Sequence, residues 1–332
     1  MYSPEFNCSP RVYTLLEKIA QMGEKVRASL IKVPWVPSLA REAMARLAWG
    51  STAIEGCTLS LEAVKKLMEG KPTEGYPDRH VRMAENYINA LNWIHKKGKT
   101  KTISEEDIFH LHKIIAEGAV DEGPLGAYRK IDVRAGLHVG SPWRKVPSQM
   151  KDLLQWLNGP GQELPAIFSS ALLHLRFVEI HPFRDGNGRV TRALATWELY
   201  RKGFDTLHIF SLDDVLMENR NLYIKSLQRV QVEGADLGGW IEFVSEAVLE
   251  ALERVEKRIL SLGPIGSKEL SLTVRQETLL RILKERGLVN IRDLARALRL
   301  TVPGVHYAMR PLLKNKIIVK RGTHKNTKYT LP

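Results

Sequence analysis

Twelve residues, HPFRDGNGRVTR from His181 to Arg192, interrupt an apolar helical stretch and fix where the chain must turn. The run before them, PAIFSSALLHLRFVEI, places Ala171, Leu172, Leu175 and Ile180 at helical spacing, and ATWELYRKG after them reads the same way. The interruption is therefore a turn between two helices. Gly186 and Gly188 flank Asn187 and let the backbone bend closely, while the free N–H groups of the second helix's first turn point into the space so made. A di- or triphosphate fits that cradle. Arg189 and Arg192 are three apart, so both guanidinium groups reach the same side and each can fork onto phosphate oxygens. Two such charges disfavour each other unless an anion or carboxylate joins them. Asp185 offers a hard oxygen ligand for Mg²⁺, and His181 has a pKa suited to removing a proton from a hydroxyl near neutral pH. Singly, each has a plainer use: Asp-Gly-Asn-Gly is an ordinary turn, His181 can satisfy a helix C-terminus, and Asp185 can cap the next helix.

Taken together, His181, Phe183, Asp185, Gly186, Asn187, Gly188, Arg189 and Arg192 fill every fixed position of the Fic family signature, and the chain resembles that family over roughly residues 1–260. The resemblance implies transfer of the AMP part of ATP to a Ser, Thr or Tyr hydroxyl of a target protein. It makes His181 the general base and Asp185 the holder of Mg²⁺ between the α- and β-phosphates. Asn187, Arg189 and the Gly186 and Gly188 backbone would contact those phosphates, and Phe183 would be buried as an anchor. ATP and Mg²⁺ are the implied substrate and cofactor, and the chemistry asks for stabilised charge on the α-phosphate and departing pyrophosphate.

A second segment implies restraint. AREAMARLAWGSTAIEG, residues 40–56, reads as helix with Ser51 and Glu55 four apart on one face. A lone Glu of this kind is ordinarily a surface carboxylate. Ser51, Glu55 and Gly56 nevertheless match the inhibitory motif of Fic proteins, and by resemblance Glu55 pairs with Arg192, taking the arginine that would clamp the γ-phosphate of ATP. Relatives leave two other outcomes open, Glu55 aligning water to remove AMP from a modified protein and self-modification; a separate rival reading is a DNA-binding regulator whose core only senses a nucleotide.

Between the motifs, residues 122–147 are rich in Gly, Pro and short β-prone runs, which makes them an irregular stretch or a small hairpin rather than a helix. IDVRAGLHVGS resembles the flap on which relatives align a target segment by strand pairing. His138 reads as a polar flap residue, Arg129 as a brace, and His174 as a packed histidine. Ten histidines and two cysteines, Cys8 and Cys57, show no zinc spacing. The segments around LSLEAVKKLMEG, HVRMAENYINALNWIHKKG and ISEEDIFHLHKIIAEG are helical, the last opened by Ser104.

The expected fold class is mainly α: a Fic-type helical bundle with a β-hairpin flap in residues 1–262, a linker at 263–270, and a small winged-helix domain at 271–332. Those last residues hold 14 Lys or Arg against 3 Asp or Glu, a net +11 within a chain whose formal charge is +13. Three helices followed by IIVKR and KYTLP around a basic loop place the third helix in the recognition position and RGTHKNTK as the wing. Leu279, Leu283, Leu294, Leu298, Leu312 and Leu313 supply its core. Electrostatics make DNA a partner for 271–332, and protein docking or dimer formation the alternative use. A homodimer is also compatible with the pattern. No apolar run approaches a membrane span and the first residues lack a signal-peptide pattern, so the expected address is cytoplasmic.

Overall fold

The computed structural model describes residues 2–30, 36–98, 100–120, 123–205, 207–262, 272–314, 317–322 and 327–331. The expected linker at 263–270 and most of the wing tip, 323–326, lie outside them. The chain divides into two compact units, Met1–Met22 with Glu42–Glu253, and Gly23–Arg41 with Arg254–Pro332. Gly23–Arg41 and Arg254–Leu262 thus group with the C-terminal segment rather than with the rest of residues 1–262. The chain is mainly helical, with small antiparallel sheets, as expected for a Fic-type bundle carrying a flap and followed by a winged-helix region.

The first unit is organised around two helices, α7 (Ala166–Ile180) and α8 (Asn187–Arg201), that run beside each other on either side of the turn. Nearly every residue of α8 is buried, including Arg189, Arg192 and Glu198. A helix enclosed on all sides needs its polar groups matched internally. Glu198 and Arg201 do so as a buried pair at 2.6 Å, with Ser169 donating to Glu198 and Arg201 donating to Asn158 Oδ1 and Leu157 O. The first unit also holds α3 (Leu61–Met68), α4 (Asp78–Lys97), α5 (Glu105–Ala116), α6 (Val146–Asn158), α9 (Asp213–Glu218) and α10 (Arg220–Gln231), with the parts of α1 (Pro10–Leu30), α2 (Val36–Ile54) and α11 (Leu237–Leu262) that fall within Met1–Met22 and Glu42–Glu253. As expected, Ser104 starts α5: its hydroxyl accepts from Asp107 N at 3.2 Å while Asp107 accepts from Ser104 N at 3.0 Å.

The flap between α5 and α6 is a short hairpin, β1 (Arg134–Ala135) antiparallel to β2 (His138–Val139), turning through Gly136 at φ 61°. Helix α2 comes so close to the start of α9 that a Cβ on Gly50 would collide with the backbone of Asp213 and Asp214. No other side chain fits there.

The second unit contains α12 (Val274–Arg286), β3 (Val289–Asn290), α13 (Ile291–Leu298), α14 (Val302–Lys314), β4 (Val319–Arg321) and β5 (Lys328–Thr330), with the strands in the antiparallel order β3-β5-β4. Leu279, Leu283, Leu294 and Leu312 are buried together with Val305, Met309, Ile317 and Tyr329, while Leu298 and Leu313 pack at the margin. Helix α14 leaves His306, Tyr307, Arg310 and Lys314 exposed. Among the described residues, no helix is long and apolar enough to cross a membrane.

Gly50→Ala is expected to destabilise the protein by about 1–3 kcal/mol, since overpacked sites relieve strain only by shifting backbone. Gly239→Ala in α11, where nothing lies within 4 Å of the added carbon, should instead stabilise by up to about 1 kcal/mol. Urea unfolding midpoints of the two variants measure both.

Candidate active site

The site is built where α7 ends and α8 begins. His181 follows the last residue of α7 in a left-handed conformation, φ 52° and ψ 60°, while its N–H still bonds Phe177 O at 2.9 Å. That geometry turns the imidazole out of the helix line. Nδ1 lies 3.3 Å from Val178 O, a contact that assigns the ring proton to Nδ1 and leaves the Nε2 lone pair to accept another. Burial is the main force lowering the His181 pKa, to about 4, opposed by the Val178 hydrogen bond, reinforced by His138 and Arg129, and opposed again by Glu55. At neutral pH the ring is a neutral base.

Side chains behind the turn hold its shape. Asn187 faces inward and exchanges two bonds with Phe183, accepting from its N at 2.9 Å and donating to its O at 2.8 Å. Its amide side chain therefore clasps the loop, and its contribution to an anion is through the backbone. Phe183 is buried, as the signature implies, and stacks on His112 with centroids 3.7 Å apart and planes 3° from parallel. His112 Nδ1 accepts from Gly126 N at 3.0 Å, so Nε2 carries the proton that meets Asp185 O at 3.1 Å. Burial lowers the His112 pKa to about 4, keeping that tautomer neutral. Arg129 braces the other end: it donates to His181 O at 2.7 Å, Ile131 O at 2.6 Å and Ile180 O at 3.2 Å, and also to Ser141 O. One buried guanidinium thereby joins the flap to the catalytic turn.

The cationic side faces the same opening. Gly186 takes φ 80° immediately before α8, a conformation that requires glycine here. Arg189 is 3% exposed, its Nη2 lies 3.7 Å from Asp185 Oδ1, and its Nε and Nη1 are buried without a hydrogen-bond partner. Buried orphan donors of a cation call for an anion. Arg192 is fully engaged: Nη2 donates to Glu55 Oε1 at 2.7 Å and to Ser51 O at 2.8 Å, and Nε donates to Ser51 Oγ at 2.8 Å. The expected Glu55–Arg192 pair is thus formed. Burial pushes the Glu55 carboxyl up, but Arg192, helped by Arg189 and His181, outweighs it and holds the pKa below the ordinary value. A Cβ on Gly188 would collide with Glu55 Oε1 and approach Arg192 Nη1. Glu55 therefore lays its carboxylate over the first turn of α8.

Residues 102–199 match the sequence pattern of the Fic/DOC family. Over this segment the chain is similar to the Fic/DOC family. Over 274 residues it is 26% identical to the protein adenylyltransferase Fic of Nematostella vectensis, covering 79% of this chain and 62% of that protein. Over 221 residues it is 28% identical to the protein adenylyltransferase fic-1 of Caenorhabditis elegans, covering 64% of this chain and 41% of that one. The chain thus spans less than two thirds of either relative. The crystal structure of a Fic family protein from Desulfovibrio desulfuricans is similar along the whole chain, with a TM-score of 0.70, 25% identity, and coverage of 100% of this chain and 98% of that one.

The turn between α7 and α8 brings together His181, Asp185, Gly186, Gly188, Arg189 and Arg192, with Ser51 and Glu55 arriving from the end of α2. His138 stands at the rim: its Nε2 meets Glu179 O at 3.0 Å, and its ring lies 6.3 Å from that of His181. His174 is buried and bonded to the Tyr223 hydroxyl at 2.9 Å. No group of three His, Cys, Asp or Glu side chains among the described residues could hold a metal. A single half-exposed carboxylate, Asp185, suits Mg²⁺, which keeps water and takes substrate phosphates as further ligands. His112 was not singled out by the sequence; its only signal is a place on the apolar face of EEDIFHLHKIIA.

The His181 imidazole is expected to titrate near pH 4, staying neutral as pH falls to about 5. Glu55→Gly should move the midpoint lower still, because it removes a carboxylate that favours the protonated ring. NMR titration of histidine ring carbons in the two proteins checks the value and the direction.

Proposed function

We propose that the chain is a Mg²⁺-dependent protein adenylyltransferase, transferring AMP from ATP to a Ser, Thr or Tyr hydroxyl of a target protein or of itself, with Glu55 as its built-in inhibitor. The observation that carries this reading is the Glu55 carboxylate bonded to Arg192 at 2.7 Å above Gly188, where a phosphate would sit. The adenylyltransferase names of the curated relatives point the same way.

In this reading the N–H groups of the first turn of α8 and the unpartnered edge of Arg189 receive the phosphates. Arg192, once released by Glu55, clamps the γ-phosphate. Asp185 would hold Mg²⁺, whose charge offsets that on the phosphate oxygens. His181 Nε2 takes the proton of the target hydroxyl, whose oxygen bonds to the α-phosphorus as the bond to the β-phosphate breaks. Pyrophosphate leaves through the arginine side of the site. The flap supports the target: beside β2 a groove of about 510 Å³ is lined by His138, Gly140, Ser141, Arg176 and Glu179. An extended segment pairing with the flap presents its hydroxyl toward His181 through backbone bonds, which asks little of its sequence.

One observation favours a second use of the same site. Glu55 interacts electrostatically with His181 and its side chain is 36% exposed, which suits alignment of water for removal of AMP. For the second unit, the exposed stripe of His306, Tyr307, Arg310 and Lys314 on α14, beside Lys320 and Arg321 of β4, favours a winged-helix reading with duplex DNA as ligand.

With α-labelled ATP, Mg²⁺ and cell lysate, Glu55→Gly is expected to raise AMP incorporation at least about tenfold, because a charge-assisted bond of about 1.5–3 kcal/mol is lost. His181→Ala should lower it by about 10²-fold or more. Equal labelling by wild type and Glu55→Gly sinks the inhibition; loss of label from premodified protein, dependent on Glu55, favours AMP removal. In mobility shifts, Arg310→Ala and Lys314→Ala should each weaken duplex binding and reduce its salt slope by about 1; salt-independent or absent binding removes the DNA reading.

A further inference from the structure

Arg192 faces a second carboxylate, one that the inhibitory motif does not include. Asp213, the first residue of α9, is 1% exposed, and its Oδ2 accepts from the Tyr87 hydroxyl of α4 at 2.8 Å. Tyr87 and Ser51 are both 0% exposed. Ser51 accepts from Arg192 Nε at 2.8 Å, so its own hydroxyl proton has to be given elsewhere, and the Asp213 carboxylate lies within its hydrogen-bonding reach. The four side chains share one enclosure: Arg192 donates to Ser51 and Tyr87 donates to Asp213, with the Ser51 hydroxyl beside the Asp213 carboxylate. Two carboxylates thus serve one buried guanidinium, in different ways. Glu55 sits just beyond the end of α2, beside Gly56 at φ 87°, and its side chain is 36% exposed. It can leave. Asp213 is enclosed, and the backbone beside it packs against Gly50, leaving no room for a Cβ there. It stays.

We propose that Asp213, acting through Ser51, is the permanent anionic support of Arg192 and keeps its guanidinium aimed into the nucleotide cradle after Glu55 departs. Without such support, displacement of Glu55 would leave a buried cation with no carboxylate, and the side chain would turn to find one. With it, the Nε edge remains fixed on Ser51 while the edge that held Glu55 becomes available to a phosphate. Ser51 then has a role apart from inhibition: it transmits the anchor. Burial raises the Asp213 pKa to about 6, against the opposing pull of Arg192, Tyr87 and Ser51, which leaves the carboxylate ionised at neutral pH. Asp213 is a positioning residue, since it touches neither nucleotide nor target.

This inference rests on the reading of Arg192 as the γ-phosphate clamp, and binding rather than turnover tests it. In the full-length Glu55→Gly protein, calorimetry measures Mg-ATP and Mg-ADP affinity before and after adding Asp213→Asn, Ser51→Ala, or both. Each substitution is expected to weaken ATP about tenfold, the scale of a lost bond to a charged group, and to leave ADP unchanged. The pair together should cost little more than either alone, because both cut one chain. Ser51→Thr, which keeps the hydroxyl, should restore ATP affinity. Equal weakening of ATP and ADP, or full additivity, overturns the proposal. If Asp213→Asn does not fold, Tyr87→Phe removes one bond to the same carboxylate and must show the same ATP-selective loss; unchanged ATP affinity in that variant overturns it. A Glu55→Gly parent with no preference for ATP over ADP defeats the clamp reading itself, whereas a preference that survives all the variants defeats only the anchor.

Discussion

A guanidinium that is 2% exposed is tolerable only where anions and acceptors surround it, and Arg192 is the cation around which the first unit is arranged. Its neighbours come from α2, α4, α9 and α10, as Ser51, Glu55, Tyr87, Asp213 and Tyr223. Helices α2, α4 and the consecutive pair α9 and α10 are far apart in sequence. Burying one charge at the start of α8 therefore ties the end of α2 to the middle of the bundle more specifically than apolar packing does. Burial disfavours the charged form of Arg192, yet the surrounding carboxylates and phenols more than compensate, and its pKa is raised.

The neighbouring turn separates shape from chemistry. Asn187, Phe183, His112 and Arg129 are spent on fixing the loop from behind, through bonds to its carbonyls and N–H groups. What remains directed outward is His181 Nε2, the Asp185 carboxylate, two orphan donors of Arg189 and the first turn of α8. Preorganised donors of this kind cost nothing to reorient when charge develops on a phosphate. A neutral His112 holding Asp185 O and a neutral His181 have the same cause, burial that disfavours the imidazolium.

The central hairpin was legible because its two halves are apolar at helical spacing and its turn carries glycines that only a tight bend explains. The flap and Ser104's helix start were legible from turn and capping residues for the same local reasons. The second unit's core leucines followed periodicity, although Leu298 and Leu313 fell at its margin. What the sequence hid is long-range. Asp213 and Tyr87 read as unremarkable residues in DDVL and NYIN, because their roles depend on a contact spanning 126 residues. His112 was masked by a helical pattern in which a histidine on the apolar face reads as packing. The grouping of Gly23–Arg41 with the C-terminal segment is likewise invisible locally, since α1, α2 and α11 are continuous helices whose periodicity does not change where one unit gives way to the other.

Glu55 and Arg192 belong to the same folded unit, so the carboxylate is held beside the guanidinium at a fixed local concentration, independent of how much protein is present. Dilution cannot separate such a pair, because the carboxylate is always at hand. The pair opens only when Glu55 moves off Arg192, so whether that guanidinium is engaged is a property of the fold rather than of protein concentration.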